Sequence, residues 1–314
     1  MLPIIPLSER EKQLLPELRR DVEYLAREVG ERSARKHWEV AAAADWIAGE
    51  FEAAGFSVNR TGVESDGEAI AMDIEANSPG GKGDVVLVTA HYDSSPGSPG
   101  ADDGATGIAA LLALARGFKG LHSLRTIRFL ARASKRNASY AQRLGQRGDA
   151  VPIVLGLESL GYYSDQANSQ RCPRLRSVSC SSVGDFAAIL ATERTRRLGD
   201  WMARSLGERT SVPVRPAVVS DAASAEFELG SWVFHQAGWP LVAITDTGPL
   251  RNPHHDGPAD TVEHLDFERL ARLVSGIERV LRVLVGLPEN ADQDRLGTEL
   301  QPKTEPRWLR VPWE

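Results

Sequence analysis

Four stretches of the chain bring together side chains able to hold a metal ion or move protons. His91-Tyr92-Asp93 follows directly on the apolar run Val85 to Ala90. Asp103 comes twelve residues after His91, inside Gly100-Ala101-Asp102-Asp103-Gly104-Ala105-Thr106-Gly107. Glu158 closes the apolar run that starts at Ile153 and is followed by Ser159-Leu160-Gly161-Tyr162-Tyr163. Asp246-Thr247 follows Leu241 to Thr245 and leads to Arg251-Asn252-Pro253-His254-His255-Asp256, with Asp260-Thr261 close behind. Zinc and harder divalent ions take imidazole nitrogen and carboxylate oxygen on rigid supports. A ligand histidine also wants its second nitrogen held by a carboxylate, and Asp93 stands in the right place beside His91. A lone His or Asp at a strand end is ordinarily a cap or a solvated loop residue. Several of them, at the ends of successive strands, point to a shared site.

The elements that must position these residues are legible from hydrophobic pattern. Residues 8–55 read as two helices, the second with an apolar stripe of Trp38, Val40, Ala41, Ala44, Trp46, Ile47 and Phe51 at helical spacing and Gly55 as its stop. Phe56 to Val58 and Ala69 to Ile74 read as short strands, and residues 78–84 as a turn. Val85 to Ala90 is a continuous β-branched run of the kind found in strands buried on both faces. A helix is expected over Gly104 to Phe118, strands over Thr126 to Ala131 and Ile153 to Leu157, one long helix over 184–206, a strand over Leu241 to Ile244 and a final helix over Phe267 to Val285. Strands alternating with helices specify an α/β domain with a largely parallel sheet. Such sheets place their ligand sites at the carboxyl ends of the strands, which is where the four stretches fall.

Composition sets the outer limits. The 314 residues are 42% apolar and 25% charged, as in ordinary soluble globular proteins, which excludes a mostly disordered or fibrous chain. The net charge of −6 argues against a general nucleic-acid binder. No apolar run approaches the ~18–20 residues of a membrane span. The start MLPIIPLSEREKQ lacks the basic opening and long apolar run of a secretory signal, so the expected location is cytoplasmic. Two cysteines cannot build a disulfide scaffold. Cys172 and Cys180 are read as free thiols, with pairing as the alternative. The last 26 residues are polar and Pro-containing but end in Trp308, Leu309, Val311 and Trp313. They read as a tail that packs on its own domain or docks a partner or second subunit.

The motifs AHYDS (90–94), GADDGATG (100–107), TIRFLA (126–131), LESLGYYSDQANSQ (157–170), QAGWP (236–240) and TDTGPLRNPHHDGPADT (245–261) resemble, in order and spacing, the co-catalytic zinc aminopeptidases of peptidase clan MH. These are the aminopeptidase S and Y type, related to glutaminyl cyclase and the transferrin receptor ectodomain. The resemblance spans about residues 15–287. It implies a single three-layer α/β domain over 1–288, with a mixed, mostly parallel sheet between helices, and a tail over 289–314. It also implies a two-metal site. One metal would be held by His91, the bridging Asp103 and Glu158, with Asp93 behind His91. Tyr162, Arg251 and Asn252 fall in segments that line the substrate pocket.

The remainder departs from the family. A Glu-Glu pair, general base and second-metal ligand, belongs where this chain has Lys135 and Arg136, and no glutamate occurs between Glu75 and Glu158. The ligand histidine of the second metal aligns with Asp256, while His255 and His254 sit one and two places earlier. Two acids have become bases, and a neutral ligand has become an acid. The resemblance therefore implies at most one zinc, on His91, Asp103 and Glu158, or none, with Lys135 or Arg136 taking the space of the second ion against Asp103 and Asp256. Three functions are compatible with this. A retooled enzyme would act on a small amino-acyl or peptide-like amide, with Lys135, Arg136, His254 or His255 as acid, base or oxyanion stabiliser. A pseudopeptidase would bind a peptide or protein partner without chemistry. A weak one-zinc amidohydrolase is the third.

Overall fold

A computed structural model describes residues 5–65, 68–78, 84–173 and 181–289. In chain order its α-helices are α1 (Glu9–Glu23), α2 (His37–Ala53), α3 (Gly107–Gly117), α4 (Ser139–Leu144), α5 (Arg196–Gly207), α6 (Asp221–Phe227), α7 (Trp232–Gln236), α8 (Gly248–Arg251) and α9 (Phe267–Leu284). The strands are β1 (Ser57–Ser65), β2 (Glu68–Asn77), β3 (Val85–His91), β4 (Thr126–Arg132), β5 (Ile153–Leu157), β6 (Ala187–Ala191), β7 (Val214–Val218) and β8 (Leu241–Thr245). They form one sheet in the order β1-β2-β4-β3-β5-β8-β6-β7. The central β4-β3-β5-β8 block is parallel, while β1, β2 and β6 introduce antiparallel pairings.

The three-layer arrangement follows from strand periodicity. Successive side chains on β3 point to opposite faces. Val86, Val88 and Ala90 enter a core built with α1, α2, α3, α5 and α9. Val85 and Leu87 enter a second core with α4, α6 and α7. Both faces are covered, so β3, β5, β6 and β8 can be apolar throughout. On the first face Phe129 meets Phe51, Phe56 and Phe118, with ring centroids 6.3, 5.6 and 6.4 Å away.

Three sequence expectations are corrected. The helix expected over 184–206 is a strand, β6, followed by α5. Phe186-Ala187-Ala188-Ile189-Leu190-Ala191 has good helix formers, but it is buried between β7 and β8, and ladder pairing overrides local propensity. The break falls at Thr192 and Thr195, whose side chains each accept the other's backbone N–H. Trp38 does not belong to the buried stripe of α2: it is 87% exposed, and Ala41 is exposed as well. Most of the 78–84 turn and the C-terminal tail beyond Glu289, including Trp308, Leu309, Val311 and Trp313, lie outside the described residues. Cys172 is disulfide-bonded, which corrects the free-thiol reading; Cys180 lies outside the described residues.

Candidate active site

The parallel strands end on one side of the sheet, and the chemistry collects there. His91 is the last residue of β3 and is buried. Its Nδ1 lies 3.0 Å from Asp93 Oδ1, which leaves Nε2 facing Asp103 Oδ1 at 3.3 Å and Glu158 Oε2 at 3.7 Å. Burial opposes a charge on this ring, but Asp103 and Asp93 outweigh it and raise its pKa to about 10. Asp103 sits in a distorted turn before α3, with φ −82° and ψ 97°. The next residue, Gly104, has φ +106°, and a Cβ there would come within 2.6 Å of the Asp93 carbonyl oxygen, so only glycine allows the turn. Asp260 caps the turn by accepting the backbone N–H groups of Asp102 (2.9 Å) and Asp103 (3.1 Å). Glu158 leaves the end of β5 and accepts from the N–H groups of Gly230 (3.2 Å) and Ser231 (2.8 Å). Gly230 is required by the close approach, since a Cβ would meet Lys135 Cβ at 2.8 Å and His91 Cδ2 at 3.1 Å.

Lys135 and Arg136 part company. Lys135 follows β4, its N–H donates to Asp93 Oδ1 (2.8 Å), and its side chain turns inward. Its Nζ donates to Asp103 Oδ2 at 2.8 Å and stands 3.4 Å from Asp256 Oδ1 and 3.7 Å from Glu228 Oε2. Burial opposes the ammonium charge, yet Asp103, Asp256 and Glu228 raise its pKa above the ordinary lysine value. Asp103 is correspondingly held well below the usual carboxylate range: burial pushes it up, and His91, Lys135 and His255 overcome that. Arg136 is exposed.

The segment after α8 delivers Asp256 with φ +58°. Its carboxylate accepts from Ser95 Oγ at 2.5 Å. The His255 side chain is 8% exposed; its Nε2 lies 3.7 Å from Glu228 Oε2 and 3.9 Å from Asp256 Oδ2, too long for hydrogen bonds but close enough for charge pairing. Neither His255 nitrogen has a hydrogen-bond partner. Burial depresses its pKa, but Glu228, Asp103 and Asp256 reverse this and hold it at about 9. His254 instead stacks on His264, centroids 4.0 Å apart. Of the residues the resemblance implies for substrate binding, two are buried and bonded within the protein and one is half-buried. Asn252 is buried and donates to Asp102 Oδ2 (3.1 Å). Arg251 is buried, donates from Nε to Gln170 Oε1 (2.8 Å) and lies over Phe186. Tyr162 is half-buried, and its N–H donates to Asp246 (2.7 Å).

Sequence reasoning passed over two residues. Glu228 arrives from the loop after α6 in a left-handed conformation, φ +49°, with its side chain 40% exposed. No motif marks it; only the loop's placement does. Arg32 is fully buried and donates to the carbonyls of Leu25, Gly30, Tyr92, Pro99 and Gly100. It ties the strand end carrying His91 and Asp93 to the turn carrying Asp103. Burial lowers its pKa to about 10.

The two metal positions implied by the sequence differ in fit. His91, Asp103 and Glu158 carry zinc-type donors, with Asp93 on the second imidazole nitrogen as such a ligand requires, but their donor atoms are not all within 4.8 Å of one another. Among the described residues, the one group of three donors whose atoms all lie within 4.8 Å of one another is Asp103, His255 and Asp256. There the Lys135 ammonium stands against two of the three, so a dication does not fit beside it.

The fold is of the zinc-aminopeptidase architecture. Residues 70–134 match the model of Peptidase family M28. The chain is 27% identical over 293 residues to the uncharacterized protein YfbL of Escherichia coli (strain K12), covering 84% of this chain and 87% of that protein. Its fold is similar to that of LapB from Legionella pneumophila (TM-score 0.66, 19% identity, 88% of this chain and 75% of that one). It is also similar to BSAP, a zinc aminopeptidase from Bacillus subtilis (TM-score 0.66, 14% identity, 91% and 98%). A glutaminyl cyclase from Bacteroides thetaiotaomicron matches at TM-score 0.60 and 14% identity, over 84% and 96%. The resemblance read from the sequence therefore stands: residues 70–134 match Peptidase family M28, and the fold is shared with zinc aminopeptidases and a glutaminyl cyclase.

Proposed function

We propose that this protein is an enzyme acting on an amino-acyl or peptide-like amide by chemistry other than two-metal hydrolysis. One observation carries the reading: His255 is buried, with neither ring nitrogen hydrogen-bonded, between the half-exposed Glu228 and Asp256. A buried polar group without a partner is costly, and a substrate group supplies the missing bond. Lys135 and His255 present positive charge where an amide oxygen would gain negative charge, the role of an oxyanion stabiliser. Protonated His255 can donate to a leaving amine, and Glu228 is the nearest partly exposed carboxylate that can accept a proton. A zinc ion, where bound, would be held by His91, Asp103 and Glu158 and would polarise a carbonyl or a water molecule. Arg136 stands outside this cluster.

A panel of amino-acyl anilides and peptide amides, including peptides with N-terminal glutamine, tests this by mass spectrometry of products with and without chelator. Turnover that falls by about 10²-fold or more in His255→Ala is expected. Wild-type protein that changes no member of the panel overturns the reading. The pseudopeptidase alternative draws on the salt bridge of Lys135 to Asp103, which neutralises the site without a ligand; tight peptide binding with no product supports it. One-zinc hydrolysis remains as the reading in which chelator abolishes turnover.

No helix among the described residues is long and apolar enough to cross a membrane. A partner role for the C-terminal tail rests on its sequence alone.

A further inference from the structure

Between β1, α4 and the turn that follows α4 lies a second opening, of about 340 Å³, which no residue of the candidate active site lines. That volume is in the range of ~300–1,000 Å³ usual for small-molecule sites. Its polar wall residues are Thr61 from β1, Tyr140 and Arg143 from α4, and Gln146 and Arg147 from the turn. Arg143 lacks a full set of partners. Its Nη2 is buried and makes no hydrogen bond. Asp73 Oδ2 stands 3.8 Å from that nitrogen, beyond hydrogen-bond range. Asp73 is already engaged: its Oδ1 accepts the Ala133 N–H at 3.0 Å, and it also faces buried Arg132. Arg147 donates to both oxygens of Glu75, at 2.5 and 3.0 Å, and lies 3.5 Å from Asp149. Those two acids also hold buried Arg128, at 3.4 and 2.7 Å. Each of the three carboxylates thus serves two guanidinium groups, and four guanidinium groups draw on them. Of the four, Arg143 and Arg147 are the two that solvent reaches, and both stand in the wall of the opening.

We propose that this opening binds the oxyanion group, phosphate or carboxylate, of a small hydrophilic molecule. Arg143 and Arg147 form the charged clamp, and Thr61 and Gln146 supply neutral hydrogen-bonding groups. A buried guanidinium nitrogen without an acceptor is costly, and an oxyanion gives Arg143 Nη2 the acceptor that Asp73 stands too far away to be. Guanidinium forks match the oxygen geometry of both anions. The acids behind the wall hold the two arginines in place without discharging them, because each acid is divided between two cations. This inference goes beyond the amide chemistry above and does not rest on it, since the two sites share no residue.

The test titrates the full-length protein with inorganic phosphate, glycerol 3-phosphate and succinate by isothermal titration calorimetry at fixed ionic strength. At least one probe is expected to saturate at one site per chain. Arg143→Met, which keeps the stem and removes the charge, should weaken that binding by about 10-fold or more. Gln146→Glu changes an exposed wall residue, so the fold is kept, and it sets a like charge against the anion. It should also weaken binding by about 10-fold, which keeps the test decisive where Arg143→Met does not fold. Arg196→Gln, on α5 in the opposite layer, should leave binding unchanged. Binding of the two phosphates without succinate identifies a phosphate ligand, and succinate without the phosphates a carboxylate one; either pattern supports the inference. No saturable binding of any probe up to about 10 mM overturns it, as does binding that either wall variant, once folded, leaves at wild-type strength.

Discussion

Two halves of one site share Asp103 and have diverged around it. On one side, Asp103 Oδ1 faces His91 Nε2, with Glu158 beyond, and every member keeps the chemistry of a zinc ligand. On the other side, Asp103 Oδ2 faces an ammonium. The two halves are supported differently as well. The His91 half is built from backbone: strand end, capped turn, and N–H groups of Gly230 and Ser231 on Glu158. The Lys135 half is held almost wholly by side-chain charges from four separate segments. The difference teaches how one carboxylate is served on two sides: Asp103 meets an imidazole on one oxygen and an ammonium on the other, and the ammonium has acids of its own, Asp256 and Glu228, to hold it in place.

Perturbing the first half at its foundation should have the largest effect. Arg32→Met removes the donor to five carbonyls that hold the His91 strand end against the Asp103 turn. A loss of roughly 4 kcal/mol or more is expected in urea unfolding, because buried acceptors lose their partners together. In the second half, Lys135→Met without added metal leaves Asp103 and Asp256 without their shared ammonium and should cost about 3 kcal/mol in the same assay. An unchanged midpoint there would mean that the ammonium is not the counter-charge.

Away from the site, Glu75 provides an ordinary buried ion pair for contrast. It is bonded by Arg147, Tyr140 and Asn77. Burial pushes its pKa up, but Arg147, Asn77, Tyr140 and Arg128 outweigh that and lower it to about 2. A lowered carboxylate stabilises the fold above its unfolded pKa and loses that contribution as pH falls. Glu75→Gln should therefore remove on the order of 2–3 kcal/mol at neutral pH and progressively less as pH drops from about 4 towards 2. Chemical unfolding at several pH values reads this directly; an equal loss at all pH values would contradict it. The smallest effect belongs to Arg136→Ala, which should stay within about 0.5 kcal/mol of wild type, as exposed positions usually do. A larger change would return Arg136 to the site.

The sequence carries the scaffold and the first half well, because strand-end His, Asp and Glu residues follow buried apolar runs that periodicity identifies. It carries the change of charge at Lys135 and Asp256 too, since the family resemblance implies an acid and a histidine at those positions. It does not separate Lys135 from Arg136. Adjacent residues after a strand point in different directions, and only the turn decides which one enters. Glu228 has no sequence mark at all, because its role comes from a left-handed loop residue reaching across from α6. The strand at Ala187–Ala191 was hidden by alanine, whose helix preference loses to a gap between two strands. Trp38 shows the converse: a residue at the right spacing for a buried stripe still lies outside it when it sits at the first turn of the helix.

The replacement of an ion by a side chain is tested most directly by counting zinc in the wild-type protein after equilibration with excess metal. No more than one ion per chain is expected, bound where His91, Asp103 and Glu158 meet. Two tightly held ions per chain would contradict the account.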